Sequence, residues 1–315
     1  MIDKEKHYTL FKRMKTNQLL DSMIFYGSQK KWVLETLRFK YFLWIKKKKH
    51  RSDKSVVILG GCPRSGTTLL RSLLGMHPAI ASPKQEYNLL AFNDNYDLLK
   101  KSFQFSEKEI DKLLEINDHI LYSEKIIDLY QHKTNSNLVA LKHPYHIAII
   151  DEIFRFFPHA FFIHIIRDGR DVSCSLRTHP KRKMQNGKIM PINTNNPFKW
   201  CVHRWISSIN QGKKWRHSPH YLEIHYEDLV NHTTVTMGKI FDFLQLNMIE
   251  KKKLLDFYKF EQSTSHLQNI EVGTQLYQKS IGRWKKDMTE KEKKQFKNLA
   301  GRLLIELGYE KNTDW

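Results

Sequence analysis

A glycine-bearing loop within residues 56–76 follows a buried strand and opens a helix, and it constrains the fold more than any other feature of the chain. The run Val56-Val57-Ile58 is β-branched, as is typical of a buried strand. Gly60-Gly61 predicts a turn, and a helical pattern begins at Thr67. Such a loop aims backbone N–H groups and the positive end of a helix dipole at one point, which suits a phosphate or sulfate.

The same loop lacks the lysine of a nucleoside triphosphate-binding loop. Residues 61–68 read Gly-Cys-Pro-Arg-Ser-Gly-Thr-Thr, whereas the triphosphate loop reads G-x-x-x-x-G-K-[ST]. Thr67 stands where the lysine would reach the β- and γ-phosphates, and Arg64 supplies a basic side chain inside the loop. The sequence therefore predicts an anion site and argues against a P-loop kinase or NTPase, which we keep as an alternative.

After Ser55, strand and helix patterns alternate along the chain. The predicted strands are 55–60, 137–142, 160–167 and 220–226, and the predicted helices are 67–76, 106–130, 145–157, 169–178, 197–216, 233–245 and 289–308. The last helix has a capping-box signature, Thr289 followed by Glu292. This alternation predicts an α/β fold with a mainly parallel central sheet and helices on both faces. Residues 179–197 and 261–280 are predicted to be loops over the site.

Positive charge is concentrated at the start of the chain. Lys and Arg total 53 against 33 Asp and Glu, a net charge of +20, and residues 1–54 contain 15 of the basic residues but only 5 of the acidic ones. Such a chain is attracted to polyanions, so a polyanion- or membrane-binding protein is an alternative of a different class. We expect residues 1–51 to form a basic helical extension ahead of a catalytic domain spanning 52–315. The helical stripe of this extension, which includes Trp44, either packs on the domain or places residues 28–51 on an anionic membrane.

Cysteine usage and hydropathy bear on the compartment. Three scattered cysteines, Cys62, Cys174 and Cys201, give neither a disulfide framework nor zinc spacing and indicate a reducing environment. The first twenty residues lack the apolar run of a signal peptide, and the run 39–45 is too short to span a bilayer. We expect a cytoplasmic protein of bacterial type, or one peripheral to the inner face of the membrane.

Two further motifs carry basic residues. A predicted strand ends at Arg167, and Ser175 follows eight residues later in the next helix. A guanidinium and a hydroxyl at the carboxyl end of a strand suit a monophosphate, although a solvated turn capped by Asp168 gives the same pattern. The segment Gly282-Arg283-Trp284 joins cations to a glycine hinge and an aromatic anchor, and a loop packed by Trp284 is its alternative.

Together these motifs, in this order, resemble the sulfotransferase family. G-C-P-R-S-G-T-T-L-L-R-S-L-L-G-M-H-P resembles its 5′-phosphosulfate loop, I-I-R-D-G-R-D-V-S-C-S-L its 3′-phosphate motif, and G-R-W its late nucleotide-closing segment. The similarity runs from Val56 to Tyr309 and is greatest to the branch of tyrosylprotein and bacterial sulfotransferases. It implies a P-loop-like three-layer α/β/α fold. It also implies in-line transfer of a sulfonyl group from 3′-phosphoadenosine-5′-phosphosulfate (PAPS) to a hydroxyl or amine, with the bisphosphate PAP as product and no metal required.

The resemblance also implies roles for individual residues. The donor-binding residues are Arg64, Ser65, Gly66, Thr67 and Thr68 for the 5′-phosphosulfate, Arg167 and Ser175 for the 3′-phosphate, and Tyr226 and Arg283 beside the nucleotide. Arg64 is also expected to stabilise charge on the sulfonyl group, and Lys142 to lie near the leaving oxygen. Tyr226 has the alternative role of a core residue at a strand end.

The resemblance leaves the general base open. Glu86, nine residues after His77, matches the glutamate of several relatives, and His143 beside Lys142 is the alternative base. His143 and His146 also have the spacing of metal ligands, but without a third ligand we expect no metal site.

The acceptor cannot be read from the motifs. We expect a glycan, a lipid-linked precursor or a small molecule, with protein tyrosine as the alternative and no specific nucleic acid. The basic charge would suit an anionic acceptor. Trp200, Trp205 and Trp215 could either stack on a sugar or fill a core.

Overall fold

The computed structural model describes residues 50–90, 96–179, 195–254, 278, 280–312 and 314–315, together with the backbone of 181–185, 188–192 and 255. The predicted basic extension and membrane contact therefore lie, up to residue 49, outside the described residues, as does most of the predicted loop 261–280. The chain divides into two compact units, one of Lys49–Arg177 with Pro197–Trp315 and the other of Met1–Lys48 with Thr178–Asn196.

A five-stranded parallel sheet forms the centre of the larger unit. Its strands are β1 (Val57–Gly60), β2 (Ile80–Ala81), β3 (Leu138–Lys142), β4 (Phe161–Ile166) and β7 (Tyr221–His225). They lie in the order β2-β3-β1-β4-β7, and every neighbouring pair is parallel. The four predicted strands correspond to β1, β3, β4 and β7, and they and the predicted α/β class are confirmed. Because all strands point the same way, the motifs that follow β1, β3, β4 and β7 meet at one edge of the sheet.

The described helices cover both faces of this sheet. They are α1 (Thr67–Leu74), α2 (Tyr96–Ser102), α3 (Glu107–Leu114), α4 (His119–Thr134), α5 (Ile150–Phe156), α6 (Gly169–Arg177), α7 (Phe198–Lys213), α8 (Tyr226–Asn231), α9 (Thr233–Phe243), α10 (Lys251–Leu255), α11 (Trp284–Asp287) and α12 (Glu290–Glu306). A 3₁₀ helix, Pro144–Ile149, precedes α5. The predicted capping box of α12 is confirmed, because Thr289 Oγ1 accepts from Glu292 N–H and the Glu292 carboxylate accepts from Thr289 N–H.

Two predictions of local structure were wrong. The single predicted helix 106–130 is broken into α3 and α4, because the Asp118 carboxylate accepts the backbone N–H groups of Ile120 and Leu121 and so starts a new helix. Residues 179–197 are not loop throughout, since β5 (Lys181–Gln185) and β6 (Lys188–Ile192) pair antiparallel. The sequence signal for this hairpin is Asn186-Gly187, which separates the two strands in the chain.

Alternating side chains of the strands supply two apolar layers. One layer joins alternate residues of β1 and β4 to α1, α8 and α9, with Phe241 fully buried. The other joins α6, α7 and α12 around Trp205 and Phe296, both of which are fully buried. Period-two alternation along each strand explains why a short buried strand can hold helices on both faces. Within the described residues, no helix has the length and apolar composition needed to cross a bilayer.

Two buried histidines brace the sheet in their neutral form. His146 Nδ1–H donates to Leu59 O at 3.1 Å, and its Nε2 accepts from Leu89 N–H at 3.2 Å. His164 Nδ1 hydrogen-bonds the Tyr221 hydroxyl at 2.6 Å. Both rings are completely buried, and burial lowers the pKa of each to about 3. Protonation therefore favours the unfolded chain.

We predict that the free energy of unfolding decreases as the pH falls below 6.5, the ordinary histidine pKa. Below that pH, His146 and His164 bind protons in the unfolded chain but stay neutral in the folded protein. Each histidine therefore lowers the free energy of unfolding by up to about 1.4 kcal/mol per pH unit. Urea unfolding at several pH values between 7 and 5 measures this slope. His146→Gln keeps a hydrogen-bond donor and an acceptor but does not titrate, so the slope should become smaller. His217→Gln, at an exposed position, should leave the slope unchanged. An unchanged slope in His146→Gln would contradict the assignment.

Candidate active site

The loop between β1 and α1 forms a cradle of donors. Arg64 and Gly66 have left-handed φ angles of 76° and 98°, and Gly66 caps α1 without a side-chain hydrogen bond to the first turn. The N–H groups that open α1 therefore have no partner within the helix. Ser65 is 1% exposed, and its Oγ has no hydrogen-bond partner among the described residues. A buried hydroxyl and free amides at a helix N-terminus are the donor set that an anionic group requires.

Gly66 is held against Tyr226, the first residue of α8. A Cβ added to Gly66 would lie 2.3 Å from the Tyr226 ring, and the positive φ angle of Gly66 disfavours any side chain. The tyrosine hydroxyl in turn pairs with Ser280 Oγ at 2.8 Å. Tyr226 is therefore buried at the end of β7, which agrees with its alternative role as a core residue. Its ring also forms one side of the cradle.

We predict that Gly66→Ala destabilises the protein by at least about 1–3 kcal/mol, because a left-handed alanine is strained and its methyl group meets the Tyr226 ring. Gly238→Ala in α9 is the matched control, since a Cβ there meets nothing within 4 Å. That change should be stabilising by about 0.5–1 kcal/mol. Chemical unfolding of the two variants measures both effects, and an undiminished stability of Gly66→Ala would contradict the described loop.

A second basic point lies at the end of β4. The Arg167 guanidinium donates to Arg64 O at 3.0 Å and to Ser280 O, and it stacks over the Tyr226 ring at 4.6 Å. Its Nε is buried and has no partner among the described residues. Ser175 Oγ, two turns into α6, accepts from Arg64 Nε at 3.0 Å. The structure therefore brings the first and second predicted motifs into direct contact through Arg64.

Asp171 connects the third motif to the second, a role that the sequence analysis missed. Its fully buried carboxylate accepts from Gly282 N–H at 2.8 Å and from Trp284 N–H at 2.9 Å. Arg283, between them, forms an ion pair with Asp287.

Arg170 is structural, although it belongs to the same motif. Its guanidinium pairs with Asp168 and Glu310 and lies between two indole rings, 3.9 Å from the centroid of Trp284 and 4.5 Å from that of Trp315. Both carboxylates and both rings compensate its charge. Arg170 therefore anchors Glu310 and Trp315, near the C-terminus, beside the start of α6.

The guanidinium groups of the three motifs act on one another. Partial burial lowers the pKa of Arg64, the guanidinium groups of Arg167 and Arg283 lower it further, and the Glu86 carboxylate opposes them. Cations that repel one another in this way stabilise a bound anion more than an isolated cation does. Lys142, which pairs with Glu86, lies opposite Leu59 of β1, so the candidate base lies beside the cradle that follows β1.

Lys142 and Glu86 form an ion pair at the end of β3. Only 7% of the Lys142 side chain is exposed, against 47% of Glu86. Burial lowers the pKa of Lys142, and Glu86 opposes that effect. Burial alone would raise the pKa of Glu86, but Lys142, with His143 and Arg71, holds it below its ordinary value. Glu86 is thus an ionised carboxylate that remains open to a substrate.

His143 is arranged differently from Glu86. Its Nδ1 accepts from Tyr145 N–H at 3.2 Å, so the proton of the neutral ring is on Nε2. Burial lowers its pKa to about 4. A ring whose free nitrogen already carries a proton cannot take a second one readily. In the part of the chain that the structure describes, no three His, Cys, Asp or Glu side chains are grouped as a metal site.

Comparison with known proteins gives a family. The model described as "Sulfotransferase family" matches residues 56–250. The chain is 27% identical over 208 residues to protein-tyrosine sulfotransferase 1 of Danio rerio, covering 62% of this chain and 55% of that protein. Against protein-tyrosine sulfotransferase A of Caenorhabditis elegans the identity is 26% over 209 residues, covering 62% and 51%. The chain thus spans about half the length of the curated relatives it matches.

Solved structures give the same fold. The sulfotransferase domain of the curacin biosynthetic pathway has a TM-score of 0.54 and 21% identity, covering 80% of this chain and 98% of that one. The sulfotransferase domain of the Synechococcus PCC 7002 olefin synthase has a TM-score of 0.51 and 22% identity, covering 78% and 92%. At these identities the likeness extends to the fold alone.

Proposed function

The chain belongs to the sulfotransferase family, and from this membership we propose that it transfers a sulfonyl group from PAPS to an acceptor hydroxyl. The observation that carries the proposal is that two candidate anion-binding sites are in contact. One is the cradle, and the other is formed by Arg167 and Ser175. Arg64 lies in the cradle, donates to Ser175 and accepts from Arg167 through its carbonyl oxygen. A donor with a phosphosulfate at one end and a 3′-phosphate at the other needs two such points at one sheet edge.

The polar groups of the two sites support PAPS as the ligand. The first-turn N–H groups of α1, Ser65 Oγ and the side chains of Thr67 and Thr68 would hold the 5′-phosphosulfate. Arg167 Nε and Ser175 Oγ would hold the 3′-phosphate, with Tyr226 and Arg283 beside the nucleotide. Ser65 Oγ and Arg167 Nε, both buried without a partner among the described residues, support this assignment.

We assign proton transfer to Glu86 and charge stabilisation to Arg64 and Lys142. PAPS supplies the activated sulfonyl group. Glu86, ionised and half exposed, would accept the proton of the acceptor hydroxyl. Lys142, paired to Glu86 within a buried site, would donate to the leaving oxygen, and Arg64 would neutralise charge on the sulfonyl oxygens. The tautomer of His143 favours Glu86 over His143 as the base.

For the acceptor, we propose a hydroxyl on a glycan, a lipid-linked precursor or a small molecule. The printed names of the relatives from Danio rerio and Caenorhabditis elegans favour a second candidate, the phenol of a protein tyrosine. Transfer of ³⁵S from labelled PAPS to each class distinguishes the two candidates.

Thermal unfolding with PAP tests the donor assignment, with AMP and with ATP plus Mg²⁺ as comparisons. PAP at ~100 times its Kd should add about 2.7 kcal/mol to the stability of the folded protein. AMP lacks the 3′-phosphate and should act weakly. Stabilisation by ATP plus Mg²⁺ in place of PAP would identify a kinase, and no response to any nucleotide would favour a polyanion-binding protein.

A further inference from the structure

The loop that carries Glu86 is held by a hydrogen bond on each side of that residue. Before it, the Arg71 guanidinium donates from Nη1 to the carbonyl oxygen of Lys84. After it, Tyr87 N–H donates at 3.0 Å to the carbonyl oxygen of Lys142, the last residue of β3. Tyr87 is 1% exposed, so the second bond is shielded from water. The backbone at Glu86 is therefore fixed, although its carboxylate is half exposed.

Arg71 belongs to the helix that opens with the donor cradle. It lies in α1, four residues after Thr67 and three after Thr68, so these three residues share one face of the helix. Arg71 is only 5% exposed. The opposite side of α1 packs through Leu70 and Leu73 into the apolar layer on the sheet, which holds the helix in place. The guanidinium thus connects a packed helix, whose first turn is assigned to the donor, to the loop of the candidate base.

The guanidinium has a second effect on Glu86, through its charge. Burial opposes ionisation of Glu86, and Lys142, His143 and Arg71 together hold its pKa below the ordinary value. Lys142 forms the ion pair with the carboxylate, whereas the hydrogen bond from Arg71 goes to the backbone of the loop. The charge of Arg71 can be kept by a lysine, but the fixed fork of donors cannot. The two effects can therefore be separated by substitution.

We propose that Arg71 is a positioning residue that sets where the Glu86 carboxylate lies relative to the donor cradle. A general base works only within hydrogen-bond reach of the proton it accepts. A loop alone holds a side chain less precisely than a packed helix does, and an error of about 1 Å costs about 10²-fold in rate. The inference rests on the proposed function, because it assumes that Glu86 takes the acceptor proton.

A double-mutant cycle between Arg71→Met and Glu86→Gln tests the proposal. Methionine keeps an unbranched side chain in this buried position but has no donor for Lys84 O. The kcat is measured with saturating PAPS and the acceptor that the ³⁵S assay selects. We expect Arg71→Met to lower kcat by about 10–100-fold when Glu86 is present, and by less than about twofold in the Glu86→Gln variant, since an absent base cannot be misplaced. Arg71→Lys should restore part of kcat, and PAP should bind all variants equally.

Arg170→Met is the matched control. Arg170 is 2% exposed, but it pairs with Asp168 and Glu310 and not with the loop of Glu86. Whatever it costs in kcat should be the same with and without Glu86→Gln. An equal loss from Arg71→Met in both backgrounds, or an undiminished kcat, would overturn the role of Arg71. If urea unfolding shows that Arg71→Met does not fold, the cycle with Arg71→Lys is judged by the same criterion.

The unsubstituted protein separates this inference from the proposed function. Its binding of PAP and its transfer of ³⁵S are measured first, and the absence of either refutes the proposed function and this inference with it. Normal turnover in Glu86→Gln refutes the base on which the inference rests. Retention of both activities, with a loss in Glu86→Gln and independent effects in the cycle, refutes only the role of Arg71.

Discussion

Replacing Arg64 by alanine should lower kcat by at least about 10³-fold while the protein stays folded. Arg64 is exposed at the rim of the cradle, so its removal leaves the apolar layers intact. It is also the group that joins the cradle to Ser175 and Arg167, and an arginine that stabilises charge on a transferred group is worth about 10³–10⁵ in kcat. Steady-state sulfonyl transfer with an established acceptor measures the effect.

The control for this experiment is Arg302→Ala, which removes an exposed guanidinium from α12. It should keep full activity, because Arg302 lies outside the three motifs. PAP binding to Arg64→Ala should weaken by less than kcat falls, since the N–H groups of α1 and Ser65 Oγ remain. Full activity of Arg64→Ala would refute the assignment of the cradle.

Replacing Glu86 by glutamine should lower kcat by about 10²–10⁴-fold, the usual contribution of a general base. The amide can still accept a hydrogen bond from Lys142 but cannot take the acceptor proton. PAP binding should be unchanged. Because Lys142 holds the pKa of Glu86 below its ordinary value of 4.5, the acid limb of kcat/KM in the unsubstituted protein should lie below pH 4.5.

Two further variants make the Glu86 result decisive. Gln85→Ala alters the exposed neighbour of Glu86 and should leave kcat unchanged. His143→Gln keeps an acceptor for Tyr145 N–H and should cost far less than Glu86→Gln. A large loss in His143→Gln together with normal turnover in Glu86→Gln would transfer the role of base to the histidine.

The strand-end motifs were predictable because each is local. An apolar run that ends in a basic side chain places that side chain at the carboxyl edge of a parallel sheet. Lys142, the last residue of β3, and Arg167, directly after β4, follow this pattern, whereas Arg64 follows β1 after a glycine turn. Their order along the chain was enough to identify the family. The sequence leaves open whether Trp205 and Trp200 fill a core or stack on a sugar. The structure distinguishes the two residues, since Trp205 is fully buried and Trp200 only partly.

What the sequence could not yield depends on contacts between distant segments. Asp171 and Gly282 are 111 residues apart, and nothing local indicates that one carboxylate holds the backbone of the other segment. The tautomer of His143, which distinguishes it from Glu86, follows from one backbone N–H group that only the 3₁₀ turn brings into place.

The bonds from Asp171 to Gly282 and Trp284 also bear on how the protein is made. All five strands of the sheet precede residue 282 in the chain, so they are synthesised before Gly282 and Trp284 can reach Asp171. Contacts of such large sequence separation form late, because closing a long loop costs entropy before it is repaid. The two hydrogen bonds to Asp171 therefore join the last motif to the second motif only when synthesis of the chain is almost complete.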